Sequence, residues 1–253
     1  MNHPGRDLIE QIAWIADHNF DFVDLTYEPP TDVHYDPMLT RGRLVAAKLE
    51  AIGHTNPSLP AVYPIPAVKK ACFDELTKAV EFFKEVGIDK MNVHPFYYAI
   101  NRSPEELIYE NIKLLAKLSD RCRELGIILM LENYITPFHS LETFERIKDE
   151  VPDLKIHLDI GHLNIEGDAA KLVEEFFVRF GPEEIIHLHL HDNKGEKDEH
   201  LPIGCGTIDW PSVIDVLKKF KYRQTATLEV FAEDRDYLLL SKQKIQKLWA
   251  KSS

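Results

Sequence analysis

Amphipathic stretches of helix length alternate with short apolar runs seven times along the chain, and this alternation constrains the fold more than any other feature. Strands that return in the same direction after each helix must lie parallel, and a sheet covered on both faces reads as unbroken apolar runs such as IILML. The strand-like runs begin at residues 22, 49, 91, 127, 155, 185 and 225. The first helix, over 6–17, sets Leu8, Ile9, Ile12, Ile15 and Ala16 on one face. Further helices are predicted over 41–48, 67–86, 140–149, 168–179, 211–220 and 234–250, and from Ser103 to Gly126. Ser103-Pro104-Glu105-Glu106 opens that last one with an N-cap serine, a proline at the first helical position and a glutamate at the third. Gly87 and Gly126 stop two helices in the left-handed conformation, and Asn19 serves the same purpose after the first.

An open doubly wound sheet and a closed barrel both satisfy this pattern. The open sheet would carry a glycine-rich phosphate loop after an early strand, and none is present, so a (β/α)8 TIM barrel is expected. Its usual length of about 250 residues suits one domain over 1–253. A barrel begins with a strand, whereas this chain begins with a helix. The first strand is therefore expected to be absent or truncated, with Met1 to Pro4 as its tail or its body upstream.

Lysine and arginine number 30 against 42 acidic side chains, giving 30 − 42 = −12, which weakens a nucleic-acid or anionic-membrane role. Cys72, Cys122 and Cys205 are an odd number spread over a long chain, and are expected to be reduced thiols in the cytoplasm. No apolar run approaches the roughly 18 residues of a membrane span, and MNHPGRDLIE lacks the apolar stretch of a signal peptide, so no membrane partner is expected.

In such a barrel, function gathers at the C-terminal ends of the strands. The polar residues there are His54, His94, Glu132, Asp159, His189 and Glu229. Loops add His162, three residues past Asp159, and Asp198 and His200. Carboxylate with imidazole is the ligand set for zinc, manganese and related divalent ions. Each has an ordinary alternative. A glutamate at a strand end serves as well in an ion pair, and Asp159 reads equally as a helix N-cap beside a solvated His162. The run His187, His189, His191 alternates onto one strand face, where only one or two reach a metal. His18, His34, His139 and His157 are expected on the surface or in packing. Gly204-Cys205-Gly206 reads as a turn into the helix at Trp210-Pro211.

Glu132-Asn133, Leu158-Asp159-Ile160-Gly161-His162, His189-Leu190-His191-Asp192, the stretch from Asp198-Glu199-His200 to Asp209-Trp210, and Leu228-Glu229-Val230 together resemble the xylose-isomerase-like TIM-barrel superfamily. It includes sugar isomerases and epimerases of the tagatose-3-epimerase type and endonuclease IV, the AP endonuclease family 2. The likeness runs from about residue 6 onward. It implies a metal held by Glu132, Asp159, His189 and Glu229, with His54, His94, His162, Asp198 and His200 matching the additional ligands of three-zinc members. Zinc or manganese is expected ahead of magnesium or cobalt, at about one to three ions per chain.

Two catalytic readings follow from the resemblance. In the first, the chain is an isomerase or epimerase of a sugar or sugar phosphate. Glu132 and Glu229 exchange a proton through an ene-diolate, and His162 contacts a substrate oxygen. In the second, it is an endonuclease IV-like phosphodiesterase with two or three zinc ions, and DNA is the partner. Against the second, the loop TYEPPTDVHYDP is acidic, and TNPSLP after His54 lacks an aromatic wedge, with Tyr63 further on as a substitute. A non-catalytic metal- or sugar-binding barrel is the third reading. A homo-oligomer stays open.

Overall fold

The computed structural model describes residues 6–28, 36–97 and 103–251. The expected strand tail at Met1 to Pro4, and residues 29–35 of the acidic loop with His34, lie outside them. The elements run α1 (Leu8–Asp17), β1 (Phe22–Tyr27), α2 (Pro37–Ala47), β2 (Glu50–Thr55), α3 (Pro66–Val86), β3 (Lys90–Val93), α4 (Pro104–Leu125) and β4 (Ile128–Glu132). There follow α5 (Leu141–Glu150), β5 (Lys155–Asp159), α6 (Ile160–Glu166), α7 (Ala169–Phe180), β6 (Ile185–Leu190), α8 (Trp210–Lys219), β7 (Thr225–Leu228) and α9 (Asp236–Ala250). Among the described residues the strands number seven, each within one residue of its expected start. The chain forms two compact units, residues 1–131 with 145–154, and residues 132–144 with 155–253.

In the first unit β1 to β4 pair in parallel, with Phe22 opposite Glu50, Gly53 opposite Met91 and Lys90 opposite Ile128. A Cβ on Gly53 would overlap the Phe83 ring, so glycine lets α3 sit directly on β2. Leu76, Val80 and Phe83 of α3, and Leu115 and Leu118 of α4, are fully buried. Each such side chain contributes about 1.5–3 kcal/mol by leaving water. The helix ends follow from local chemistry. Ser103 and Glu106 form a reciprocal capping box, and Gly87 and Gly126 terminate α3 and α4 at φ of 94° and 68°. Asn19 takes φ 56° after α1. Helix α2 begins at Pro37 rather than at 41, because Asp36 accepts from the Met38 and Leu39 N–H groups and Pro37 occupies the first helical position.

In the second unit β5, β6 and β7 pair in parallel, with Asp159 opposite His189 and His189 opposite Thr227. That register sets the polar ends of three successive strands side by side. Glu229 follows β7, its N–H donating to the Leu190 carbonyl at 3.1 Å. The short helix α6 was not expected, since seven residues are too few to show a period. Among the described residues no helix is long and apolar enough to cross a membrane.

Candidate metal centre

The second unit brings together seven of the nine residues singled out in the sequence, and the first holds the other two. There His54 and His94 are buried, with ring centroids 5.1 Å apart.

Strand β6 delivers His189 into the centre of the second unit's cluster. Its Nδ1 lies 2.9 Å from Glu229 Oε2, 3.6 Å from Glu132 Oε1 and 3.7 Å from Asp159 Oδ2. Four side chains from the ends of β4, β5, β6 and β7 thus converge on one point, all buried. Two ligand atoms each about 2.0–2.1 Å from a tetrahedral ion stand roughly 3.3 Å apart, so these separations fit a cation among them. Asp159 also caps α6, its Oδ1 accepting from the His162 N–H at 2.7 Å. The cap and the clustering are both realised, and His162 is buried rather than solvated. Oδ2 of Asp159 is buried with no hydrogen-bond donor among the described residues.

A second gathering surrounds Asp198. Its Oδ2 lies 3.2 Å from His162 Nε2 and 3.0 Å from His200 Nε2, and its Oδ1 lies 3.5 Å from His191 Nε2. The loop that carries Asp198 and His200 is tied down by Asp192. Its Oδ2 accepts from the Gly204 N–H (2.7 Å) and from Trp210 Nε1 (3.0 Å), and its Oδ1 accepts from the Asn193 (3.0 Å) and Ile208 (3.3 Å) N–H groups. Gly204-Cys205-Gly206 is the turn within it, as expected.

Two further histidines that the sequence does not mark as ligands lie against the cluster. His157, expected in packing, is fully buried with Nδ1 3.2 Å from Glu132 Oε2. His191, left among three alternating histidines, reaches both clusters, with Nε2 3.1 Å from Asp159 Oδ1. The alternation His187, His189, His191 was the available signal, but it does not say which ring meets carboxylates.

The electrostatics follow from burying carboxylates among imidazoles. Desolvation raises the Asp159 carboxyl, yet His162 and His191 outweigh it and hold the group below the ordinary carboxylate range. Asp198 and Glu229 are lowered in the same way, Asp198 by His162 and His200, Glu229 by His189. Burial disfavours a charged His162, but Asp159, Asp198 and Glu132 reverse that and raise it to about 10. Burial dominates at His157, which is lowered to about 3. The cluster draws positive charge, which either protons or a divalent cation supply. Asp159, His162 and His191, and likewise His191, Asp198 and His200, each present ligand atoms within 4.8 Å of one another. This oxygen–nitrogen donor set suits zinc, manganese or a similar divalent ion.

Known proteins resemble this chain in sequence and fold. A protein of Methanocaldococcus jannaschii named only as uncharacterized protein MJ1311 is 31% identical over 241 residues, 88% of this chain and 79% of its own. The solved D-tagatose 3-epimerase-like protein superposes with a TM-score of 0.84 at 26% identity, covering 96% of this chain and 93% of that one. A putative L-ribulose-5-phosphate 3-epimerase of Haemophilus influenzae is 22% identical across 91% of this chain and 86% of its own. A probable endonuclease 4 of Aster yellows witches'-broom phytoplasma is 22% identical across 66% of this chain and 62% of its own. The profile described as "Xylose isomerase-like TIM barrel" matches residues 12–251, and the chain belongs to that family.

Proposed function

We propose that the chain is a divalent-metal-dependent epimerase or isomerase of a sugar or sugar phosphate. The observation that carries this reading is the approach of two glutamates, from the ends of β4 and β7, to the same nitrogen of His189. Glu132, Asp159, His189 and Glu229 would hold the metal. Bound there, a divalent ion polarises a carbonyl and neutralises negative charge on its oxygen. Glu132 takes the proton from the carbon beside the carbonyl, and Glu229 returns one to the other face, so the configuration inverts. His157, on Glu132 Oε2, fixes which oxygen of that base faces the site. The burial of all four side chains excludes water from the proton transfer. Of the two roles open to His162, ligand and substrate contact, the turn of its Nε2 toward Asp198 favours the first. The likeness to the D-tagatose 3-epimerase-like protein supports the same chemistry. Three free cysteines, two of them buried, suit a reducing compartment such as the cytoplasm.

The test is incubation of metal-loaded protein with a panel of ketoses and ketose phosphates in deuterium oxide. Deuterium entering the carbon beside the carbonyl of at least one substrate, read by NMR, is the expected result. The endonuclease IV-like reading is favoured by a different observation, the imidazoles of His162 and His200 on Asp198, which extend the ligand set beyond one ion. Cleavage of a duplex containing an abasic site, with no deuterium exchange on any sugar, overturns the epimerase. Neither activity from a metal-loaded chain leaves the non-catalytic binding barrel.

A further inference from the structure

Next to Glu132 stands Asn133, a fully buried side chain that no step of the proposed function uses. Its backbone N–H donates to the His157 carbonyl at 3.3 Å, as a strand residue's would, but the following N–H, that of Tyr134, turns away to the Phe138 carbonyl. The main chain therefore leaves β5 just where Asp159 needs a partner. The Asn133 side chain takes over. Its Oδ1 accepts from the Asp159 N–H at 2.6 Å, and its Nδ2 donates to the Asp159 carbonyl at 3.0 Å. A carboxamide carries the acceptor and donor of a peptide group, so it meets both halves of a residue that strand pairing would otherwise serve. Only one orientation of the amide allows this, because the flipped group would set donor against donor and acceptor against acceptor.

Completing buried backbone bonds accounts for an amide here, and Asn111 does as much in the other unit. That side chain, likewise fully buried, accepts from the Phe96 N–H and donates to the Phe96 carbonyl, both at 2.8 Å. Asn133 differs in what its clamp carries. The residue it grips is Asp159, whose two oxygens face His189 and His191. Its own carbonyl accepts from His162 Nδ1 at 2.8 Å, which turns Nε2 of that ring toward Asp198. One residue, a single peptide bond from Glu132, thus holds the backbone of one candidate ligand and the ring of another.

We propose that Asn133 is a positioning residue for the centre, setting where Asp159 and His162 stand against Glu132 so that the donors meet a cation without rearrangement. Ligand distances in a metal site hold to within about 0.2 Å, and a shift of the Asp159 backbone moves both of its oxygens together. Supporting groups of this kind hold first-contact donors in place. The inference rests on the reading that these side chains hold a cation, and it is independent of the reaction that follows.

The experiment is a chelator competition on intact protein loaded with cobalt, with the visible spectrum of the ion that Glu229→Ala loses as a second readout. Asn133→Ala is expected to weaken binding of that ion by roughly 10–100-fold, the cost of removing a supporting partner, and to shift its spectrum. Asn111→Ala breaks the same kind of clamp. It should lower the urea midpoint to a similar extent while the affinity and spectrum of that ion stay at their wild-type values. Asn133→Ser, whose hydroxyl serves at most one of the two Asp159 groups, should show a smaller loss in the same direction, and it carries the test if the alanine variant does not fold. Wild-type affinity and spectrum in the Asn133 variants, or equal losses in the Asn133 and Asn111 variants, overturn the proposal. A wild type that takes up no cobalt overturns the cation reading itself, and the positioning role falls with it.

Discussion

His187 and His189 stand two residues apart on β6, both fully buried, and differ in what surrounds them. His187 meets hydroxyls, with Nδ1 2.8 Å from Thr225 Oγ1 and Nε2 3.1 Å from Thr227 Oγ1. His189 meets three carboxylates. A hydroxyl adapts to a neutral ring by turning its proton, so the His187 surroundings are complete without an ion. Carboxylates cannot adapt in that way, and the His189 surroundings demand positive charge. The same residue on the same strand at the same burial is a core group in one setting and a candidate ligand in the other.

Removing a carboxylate from the His189 side should have the largest effect. Glu229→Ala is expected to lower turnover by at least about 10²–10⁴-fold, with the circular dichroism spectrum unchanged. A variant that keeps wild-type turnover refutes every catalytic role given to that glutamate. Next comes the paired test, in which His189→Asn should lower metal affinity by well over roughly 100-fold and His187→Asn by far less than the 10–100-fold of a supporting partner. Equal losses in a chelator competition would erase the distinction between the two settings. Smaller again, Thr227→Val leaves His187 Nε2 buried without its hydroxyl. It should cost about 1–3 kcal/mol in urea unfolding while the metal count stays at the wild-type value.

The smallest effect isolates burial alone. Cys122 touches Met91 Sδ at 3.9 Å, and desolvation pushes its thiol up to about 12 from an ordinary 9.0. Between those values only the unfolded chain loses the proton. The stability contributed by the buried thiol is therefore whole below pH 9 and declines toward pH 12, by at most about 1.4 kcal/mol per pH unit. The difference between wild type and Cys122→Ala in unfolding free energy should shrink from pH 8 to pH 10. A pH-independent difference would show that the thiol ionises alike in both states.

Strand positions were legible because each is a short apolar run bounded by a glycine, a cap or a turn, as at Gly126 before β4. The donors were legible because they end those runs. Orientation was not. Nothing in the letters of HLHLHD says that His187 finds Thr225 and Thr227 while His189 finds Glu229, because that depends on the register between β6 and β7. The place of His157 beside Glu132 likewise depends on a neighbouring strand. Helix α6 was hidden by its length, and with it the fact that Asp159 is cap and candidate ligand together. The start of α2 was readable from Asp36-Pro37, but the acidic run around them reads first as a loop.

The double use of Asp159 also bears on how the chain can change. One of its oxygens starts α6 and the other faces His189, so the three-residue step to His162 is set by helical geometry. An insertion between β5 and α6 would uncouple the two clusters at once, and this junction should tolerate no change of length. The loop after β6 is different, because Asp192 holds it by backbone groups at Asn193, Gly204 and Ile208. Asp198 and His200 lie between those anchor points, so only the stretch from Lys194 to Lys197 can change while the anchors and both candidate ligands stay in place. Variation is therefore open to arise there, around a junction that stays fixed.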